Sequence, residues 1–268
     1  MNRRALLAAA AALPLAGCTA RPAAASDALQ LSYGDDESQI AELHLPPGTA
    51  RVPTAVVIHG GFWQSAYGMS LATPLAADLA QYGIAGYAIE YRRVGNGGGW
   101  PTTFEDVAAA IDALADQPRI DLTRVIAIGH SAGGQLALWA ASRPSPRVRL
   151  RGAVSQAGVL DLAAAYRQQV GGSAVQEFLG GTPEAHPDRY ADASPLQRLP
   201  LKVPVALIHG NRDAAVPLIQ SQTYLAAART AGDTVTMTEL PHVGHFELID
   251  PHNAAWTTCR TQATRLLT

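Results

Sequence analysis

The fold of this chain is decided at residues 125–141, which read VIAIGHSAGGQLALWAA. The apolar, β-branched start of this stretch predicts a buried strand, and its end is rich in residues that favour a helix. Between them, Gly129, Ser131 and Gly133 form a Gly-x-Ser-x-Gly pattern, typical of a sharp strand-to-helix turn. A side chain at position 129 or 133 would push strand and helix apart, so glycine is needed at both. We expect the Ser131 hydroxyl to lie exposed at a helix N-terminus, where the dipole favours developing negative charge. A glycine-rich turn without chemistry is the alternative.

The composition is that of an ordinary globular protein. The chain has 268 residues, 48% of them hydrophobic and 16% charged, and a formal net charge of −2. This length can bury one sizeable core and is common for a single α/β domain. Lys202 is the only lysine, so no basic stripe predicts a nucleic-acid partner. The glycine-rich run at residues 95–99 lacks the spacing of a dinucleotide site, and no metal-ligand spacing is present. We expect neither a cofactor nor a metal.

The first residues are typical of an export signal. A short basic segment is followed at residues 5–15 by an apolar segment that is too short to span a bilayer. Residues 15–18 read LAGC and resemble the lipobox of bacterial lipoproteins, which implies cleavage after residue 17 and a lipid anchor on Cys18. An ordinary secretory peptide cut near residues 23–25 and a twin-arginine signal are the alternatives. In each case we expect an exported, extracytoplasmic protein, with Cys18 tethering it to a membrane in the first.

Strand-like and helix-like segments alternate along the rest of the chain. Apolar runs predict strands at residues 55–58, 86–89, 125–128, 152–155, 205–208 and 235–238, and a hairpin at 29–45. Helices are predicted at 71–82, 104–115, 220–231 and 254–267. The alternation is typical of an α/β fold with a mostly parallel sheet and helices on both faces.

Four segments follow from these patterns. We expect a signal peptide at residues 1–17, a tether at 18–28 and one folded domain at 29–268. Within that domain, residues 161–199 interrupt the alternation with short helical pieces. We expect them to form a small cap over the site, and a surface loop without substrate contact is the alternative.

A serine nucleophile needs a base and an acid that orients the base. His245 follows the last predicted strand and is flanked by Gly244, which places it where ligands of open α/β sheets bind. Asp213 follows the preceding strand, and the order Ser131, Asp213, His245 is that of α/β-hydrolases. Asp161 is the rival acid, but it is better placed to cap the helix that starts after it. A salt-bridged Asp213 without a catalytic role is the alternative.

Stabilising an oxyanion requires N–H donors close to the serine. The N–H of Ala132, directly after the candidate nucleophile, is one candidate. The others are the N–H groups of Gly61 and Phe62, because glycines at residues 60 and 61 follow an early strand and free the main chain to turn inward. A glycine turn beside a core tryptophan at Trp63 is the alternative.

From residue 29 to its end, the chain resembles α/β-hydrolases of the esterase and lipase group. Four motifs carry the resemblance in order: HGG at residues 59–61, GHSAG at 129–133, Asp213 with the following VP at 216–217, and GHF at 244–246. The form HGGFW is similar to that of kynurenine formamidases and related bacterial esterases. Phe62 stands where hormone-sensitive-lipase-like enzymes have a third glycine, which implies a narrower acyl pocket. The sequence shows no propeller segment, so we do not expect a peptidase of the prolyl oligopeptidase type.

The motifs together predict a serine hydrolase that works through an acyl-enzyme. Three aromatic side chains are expected to crowd the substrate pocket together with Phe62: Trp63, Trp100 and Phe246. We therefore expect small to medium carboxylic esters as substrates. An arylformamidase is one alternative, and a non-catalytic binding protein on the same fold is another. No pattern in the sequence predicts an oligomeric state.

Overall fold

The computed structural model describes residues 28–268. The strands of this part form one eight-stranded sheet in the order β1-β2-β4-β3-β5-β6-β7-β8. Their bounds are β1 Leu29–Ser32, β2 Ile40–His44, β3 Val52–Ile58, β4 Ala85–Ile89, β5 Ile120–His130, β6 Ala153–Gln156, β7 Val205–Gly210 and β8 Val235–Leu240. Strand β2 pairs antiparallel with both β1 and β4, so β1 and β2 form the predicted hairpin. All other neighbouring strands pair in parallel. The predicted α/β fold is confirmed.

Helices connect the parallel strands, as such crossovers require. Their bounds are α1 Thr73–Gln81, α2 Thr102–Asp112, α3 Ala132–Ala141, α4 Leu162–Arg167, α5 Ala174–Leu179, α6 Pro187–Ala193, α7 Ile219–Thr230 and α8 Ala254–Leu267. The predicted bounds of α8 match those observed. Helix α1 starts two residues later than expected because Pro74 occupies its first turn, where proline is favoured.

Alternating residues of the central strands supply two separate cores. On β3, Val56 and Ile58 pack on one face, and Ala55 and Val57 pack on the other. Because side chains of a strand point to opposite faces in turn, a continuous apolar run buries both. Residues of α2 and α3 cover the first face, and residues of α1 and α8 cover the second. Cys259 of α8 is fully buried there.

The segment at residues 161–199 lies between β6 and β7 and contains three short helices. Asp161 caps α4, since its Oδ1 accepts a hydrogen bond of 2.9 Å from Ala164 N. This confirms its predicted capping role. Helix α6 was not predicted, because its seven residues are mostly polar or alanine and too few to show an apolar period.

Within residues 28–268, no helix is long and apolar enough to cross a membrane. The predicted signal peptide, Cys18 and the tether as far as residue 27 lie outside the described residues.

Candidate active site

The serine of the Gly-x-Ser-x-Gly pattern lies at a strained turn between β5 and α3. Ser131 has φ 56° and ψ −119°, which is rare for a residue with a side chain and costs on the order of 1–3 kcal/mol. The N–H of Ser131 donates to the Gln156 carbonyl at 2.8 Å, and its carbonyl accepts from Gly134 N at 2.9 Å. Strand β6 and helix α3 therefore both hold the turn. The predicted steric reason for the glycines is confirmed. A Cβ would lie 1.9 Å from a main-chain oxygen at Gly129 and 2.1 Å from one at Gly133.

The candidate acid and base follow β7 and β8, which are neighbours in the sheet. His245 Nδ1 donates a hydrogen bond of 2.6 Å to Asp213 Oδ2. The other carboxylate oxygen of Asp213 accepts from the N–H groups of Ala215 and Val216, both at 2.8 Å. The Asp213 side chain is fully buried. Burial alone would raise the pKa of Asp213, but the hydrogen bonds from His209 and His245 outweigh it and hold the pKa well below its usual range. Asp213 is therefore ionised at neutral pH.

A second histidine lies against the first. His130 contacts His245 with ring centroids 4.3 Å apart and ring planes tilted by 48°, and its Nε2 donates to the His245 carbonyl at 3.0 Å. Burial, followed by the nearby His245, lowers the pKa of His130 from 6.5 to about 3. Its contact with His245 was missed, because residues 115 positions apart show no local pattern.

A third histidine holds the acid. His209 Nε2 lies 3.3 Å from Asp213 Oδ2 and 3.0 Å from the Val216 carbonyl, and its Nδ1 lies 2.8 Å from Ser221 Oγ. His209 therefore orients the Asp213 carboxylate.

The glycine loop after β3 follows a path that ordinary residues rarely adopt. Gly61, Phe62 and Trp63 have φ values of 110°, 53° and 55° in succession. At Gly60, a Cβ would lie 2.7 Å from the His130 carbonyl and 3.0 Å from Ser131 Cβ. The glycine therefore lets this loop approach the serine closely. Ala132 is the first residue of α3, so its N–H has no acceptor within the helix.

Ser131, His245 and residues of the glycine loop line one pocket of about 40 Å³. Its wall is formed mainly by apolar and aromatic residues together with the candidate serine and base: Gly61, Phe62, Tyr67, Leu71, His130, Ser131, Ala215, His245, Phe246 and Ile249. Tyr67, Leu71 and Ile249 were not predicted, since single apolar residues in loops carry no recognisable pattern. The pocket has Ser131 and His245 in the same wall and Phe246 at its exposed rim.

Two predicted pocket residues lie elsewhere, and their prediction was wrong. Trp63 is 1% exposed, donates from Nε1 to Gln135 Oε1 at 3.0 Å and stacks on Phe178 at 4.5 Å. Trp100 packs edge-to-face on Phe104, on the outer side of the first core. Trp63 belongs to the core on the α2–α3 side of the sheet, and Trp100 packs against that core as a partly buried side chain.

The segment at residues 161–199 contributes no residue to the described pocket wall. It packs behind that wall instead: Phe178 stacks on Trp63, and Gln64 Nε2 donates to Glu177 Oε2 at 2.7 Å. A Cβ at Gly171 would lie 2.4 Å from the Phe62 ring. The segment therefore supports the glycine loop from outside rather than covering the pocket with side chains.

The chain is similar in sequence and in fold to known hydrolases. The chain is 30% identical over 242 residues to esterase LipC of Mycobacterium tuberculosis, covering 81% of this chain and 59% of the relative. It is 25% identical over 233 residues to a kynurenine formamidase of Danio rerio, covering 83% of this chain and 75% of that protein. The chain thus spans less than two thirds of LipC. A truncated carbohydrate esterase from gut microbiota has the same fold, with a TM-score of 0.77 and 21% identity over 91% of this chain and 98% of that one.

A family model extends over most of the folded domain. The model of the prolyl oligopeptidase family matches residues 77–261, more than half of the chain. From the sequence we did not expect a peptidase of this type, and the match corrects that expectation at the level of the family. The relatives described above are two esterases and a formamidase. On the family match and the observed fold, the chain belongs to the prolyl oligopeptidase family of α/β-hydrolases.

Proposed function

We propose that this protein is a serine hydrolase that cleaves small carboxylic esters through an acyl-enzyme on Ser131. One observation carries the proposal: Ser131 shares a pocket with His245, whose ring is bonded to the buried Asp213 carboxylate. A serine hydroxyl is a weak nucleophile until a base takes its proton. The buried carboxylate holds the imidazole in the tautomer with a proton on Nδ1, which leaves Nε2 free to act as that base.

The reaction proceeds in two halves. His245 takes the proton of Ser131 as the oxygen attacks the ester carbonyl, and the N–H groups of Ala132, Gly61 and Phe62 stabilise the oxyanion. One such donor is typically worth ~2.7–4 kcal/mol of transition-state stabilisation. His245 then gives its proton to the leaving alcohol. Water, activated by the same histidine, attacks the acyl-enzyme and releases the carboxylic acid.

The pocket supports small substrates. Its volume of about 40 Å³ lies well below the range for drug-sized ligand sites, and its wall is largely apolar. Tyr67 and Leu71 on the side of the glycine loop, and Phe246 and Ile249 on the side of the histidine loop, bound the space around Ser131. We expect a short acyl chain to fit and a long one to be excluded.

A formamidase is the second candidate. The kynurenine formamidase of Danio rerio matches 83% of this chain, and the HGGFW sequence at residues 59–63 is similar to the form in that group. A formyl group is the smallest acyl group, so the narrow space beside Phe62 also suits a formamide. An aryl substituent would then lie against Phe246, which is 66% exposed at the rim.

Labelling with a fluorophosphonate tests the enzyme class. The wild-type protein should be labelled, Ser131→Ala should not, and Ser155→Ala, which alters a buried serine of β6, should be labelled like wild type. Equal labelling of Ser131→Ala, or none of the wild type, would favour a non-catalytic binding protein. Rates on aryl esters of increasing acyl length and on N-formylkynurenine then separate the two hydrolase candidates. A clear preference for the formamide would contradict the ester assignment.

We further propose that the protein is exported and anchored through a lipid on Cys18. The support is the sequence at residues 15–18, LAGC, after a short apolar segment. Wild-type protein expressed with its leader should partition with membranes and incorporate a palmitate analogue, whereas Cys18→Ala should do neither. Membrane partition of Cys18→Ala would refute the anchor.

A further inference from the structure

We propose that Glu90 is a positioning residue that holds the oxyanion loop, defined as residues 59–69, at both of its ends. The inference rests on the proposed function, because it takes the N–H groups of Gly61 and Phe62 to be oxyanion donors. Glu90 itself lies just after β4, outside the pocket wall. It therefore acts through the loop and does not touch substrate.

A single carboxylate reaches both ends of the loop. Glu90 Oε1 lies 2.9 Å from His59 Nε2, at the start of the loop. Glu90 Oε2 accepts a hydrogen bond of 2.8 Å from the main-chain N–H of Met69, at its end. The two candidate donors, Gly61 and Phe62, lie between these anchored ends, so Glu90 fixes the span of the loop that carries them.

The residues after Glu90 continue along the same loop. The Tyr91 hydroxyl donates to the His59 carbonyl at 2.8 Å, and the two rings stack with centroids 4.3 Å apart. Farther along, Val94 N donates to the Trp63 carbonyl and its own carbonyl accepts from Ser65 N, both at 2.9 Å. Residues 90–94 thus run along the oxyanion loop and hold it by hydrogen bonds, and Glu90 contacts both of its ends.

The loop needs such support because its path is strained. Three successive positive φ values at residues 61–63 persist only where the surroundings hold them. The donors must also lie within a narrow distance of the oxyanion to be useful. A shift of the loop by about 1 Å can cost on the order of 100-fold in rate.

The position calls for a carboxylate rather than an amide. Besides His59 and Met69 N, the Glu90 carboxylate accepts from Tyr91 N at 3.0 Å and pairs with the Arg93 guanidinium. Met69 N–H faces Oε2, whereas the N–H groups of Tyr91 and Arg93, beside His59, face Oε1. An amide offers one acceptor oxygen, so Glu90→Gln keeps the side-chain volume but leaves one of these two sets of N–H groups without its acceptor.

The matched control is Asp112→Asn. Asp112 also pairs with an arginine, Arg143, at 3.0 Å and accepts from a main-chain N–H, that of Val148, at 3.0 Å. It lies on α2 and has no hydrogen bond to the oxyanion loop. Its replacement therefore reproduces the structural cost of losing such a carboxylate without releasing the loop.

The experiment measures kcat and KM on p-nitrophenyl acetate, and the affinity for phenylboronic acid, whose tetrahedral serine adduct mimics the oxyanion. Glu90→Gln should lower kcat about 100-fold with little change in KM, and boronate affinity should fall with it. Asp112→Asn should keep wild-type kcat at a similar thermal stability to Glu90→Gln. Tyr91→Phe, which removes only the hydroxyl bond to His59, should give a smaller loss of the same kind.

Three outcomes would overturn the inference: wild-type kcat in Glu90→Gln, a rise in KM alone, or an equal loss of kcat in Asp112→Asn. If Glu90→Gln does not fold, Tyr91→Phe decides, and an unchanged kcat there overturns the inference. Failure of the proposed function is separate from failure of this inference and is detected first, because the wild-type protein would then lack esterase activity that depends on Ser131.

Discussion

His130 and His245 form a contacting pair beside Ser131, with tilted rings whose centroids lie 4.3 Å apart and a hydrogen bond of 3.0 Å from His130 Nε2 to the His245 carbonyl. His130 is 4% exposed. Its protonation would place a positive charge in the core next to the base. The pair therefore links the protonation of a buried ring to the position of the candidate catalytic histidine.

Folding stability should depend on pH through His130. The pKa of this residue is about 3 in the fold against an ordinary 6.5, so the unfolded chain binds an extra proton between these values. Above pH 6.5, His130 is neutral in both states and the folded protein keeps its full stability. As the pH falls from 6.5 toward 3, the free energy of unfolding decreases by up to about 1.4 kcal/mol per pH unit. Urea unfolding from pH 7.5 to 4.5 should show a weaker dependence for His130→Gln than for wild type. Equal slopes would contradict the buried, neutral His130.

Asp213→Asn should lower kcat by about 10⁴-fold while preserving the fold. The amide can still accept from the N–H groups of Ala215 and Val216, but its NH₂ group no longer accepts from His245 Nδ1. The histidine then loses the tautomer that makes its Nε2 a base. Steady-state rates on p-nitrophenyl acetate and a thermal melt check both parts. Asp161→Asn is the control, since Asp161 only caps α4, and a comparable loss there would contradict the choice of Asp213.

Trp63 and Phe246 should respond differently to truncation. Trp63→Ala removes a buried ring, its bond to Gln135 and its stack on Phe178, so it should cost about 3–5 kcal/mol of folding free energy. Phe246→Ala removes a ring that is 66% exposed at the pocket rim. It should leave stability nearly unchanged and raise KM. Urea titrations and ester kinetics on both variants measure these effects, and a change in KM for Phe246→Ala matched by lost stability would speak against a rim position.

Gly171 and Gly172 form a matched pair for the role of the segment at residues 161–199. Their φ values are 71° and 67°, so alanine imposes a similar backbone strain of about 1–2 kcal/mol at each. A Cβ at Gly171 would lie 2.4 Å from the Phe62 ring, whereas a Cβ at Gly172 would meet nothing within 4 Å. Gly171→Ala should therefore displace Phe62 and change kcat/KM for short esters, and Gly172→Ala should not. Identical kinetics in the two variants would show that the segment does not act on the pocket wall.

Much of the fold was predictable because local pattern and tertiary role coincide. The apolar run before Ser131 predicted the central strand, and the start and end of α8 were predicted as observed. Helix α6 was not predictable, since its formation depends on packing against the rest of the segment rather than on its own period. The 3-10 turns at the ends of α1 and α2 are likewise decided by neighbours.

The candidate site likewise has residues that the sequence predicts and residues whose position depends on tertiary contacts. Glycine patterns and chain order pointed to Ser131, Asp213 and His245, and to the loop at residues 59–63, because each is bound to a local backbone requirement. Trp63 was misplaced, because its neighbours in sequence do not reveal that its backbone turns the ring toward Gln135, 72 residues away.

By itself, then, the sequence determined the order of strands and helices, the strained turn that presents Ser131, and the residue types available for acyl transfer. These depend on local sterics, which few residues settle: only glycine fits at 129 and 133. Only the tertiary structure decided which side chains bound the pocket, that His130 and His209 contact the candidate base and acid, and that Glu90 contacts both ends of the loop at residues 59–69. The contacts of His130 with His245 and of Glu90 with His59 join segments far apart in the chain, and their geometry exists only once the sheet has brought the strand ends together.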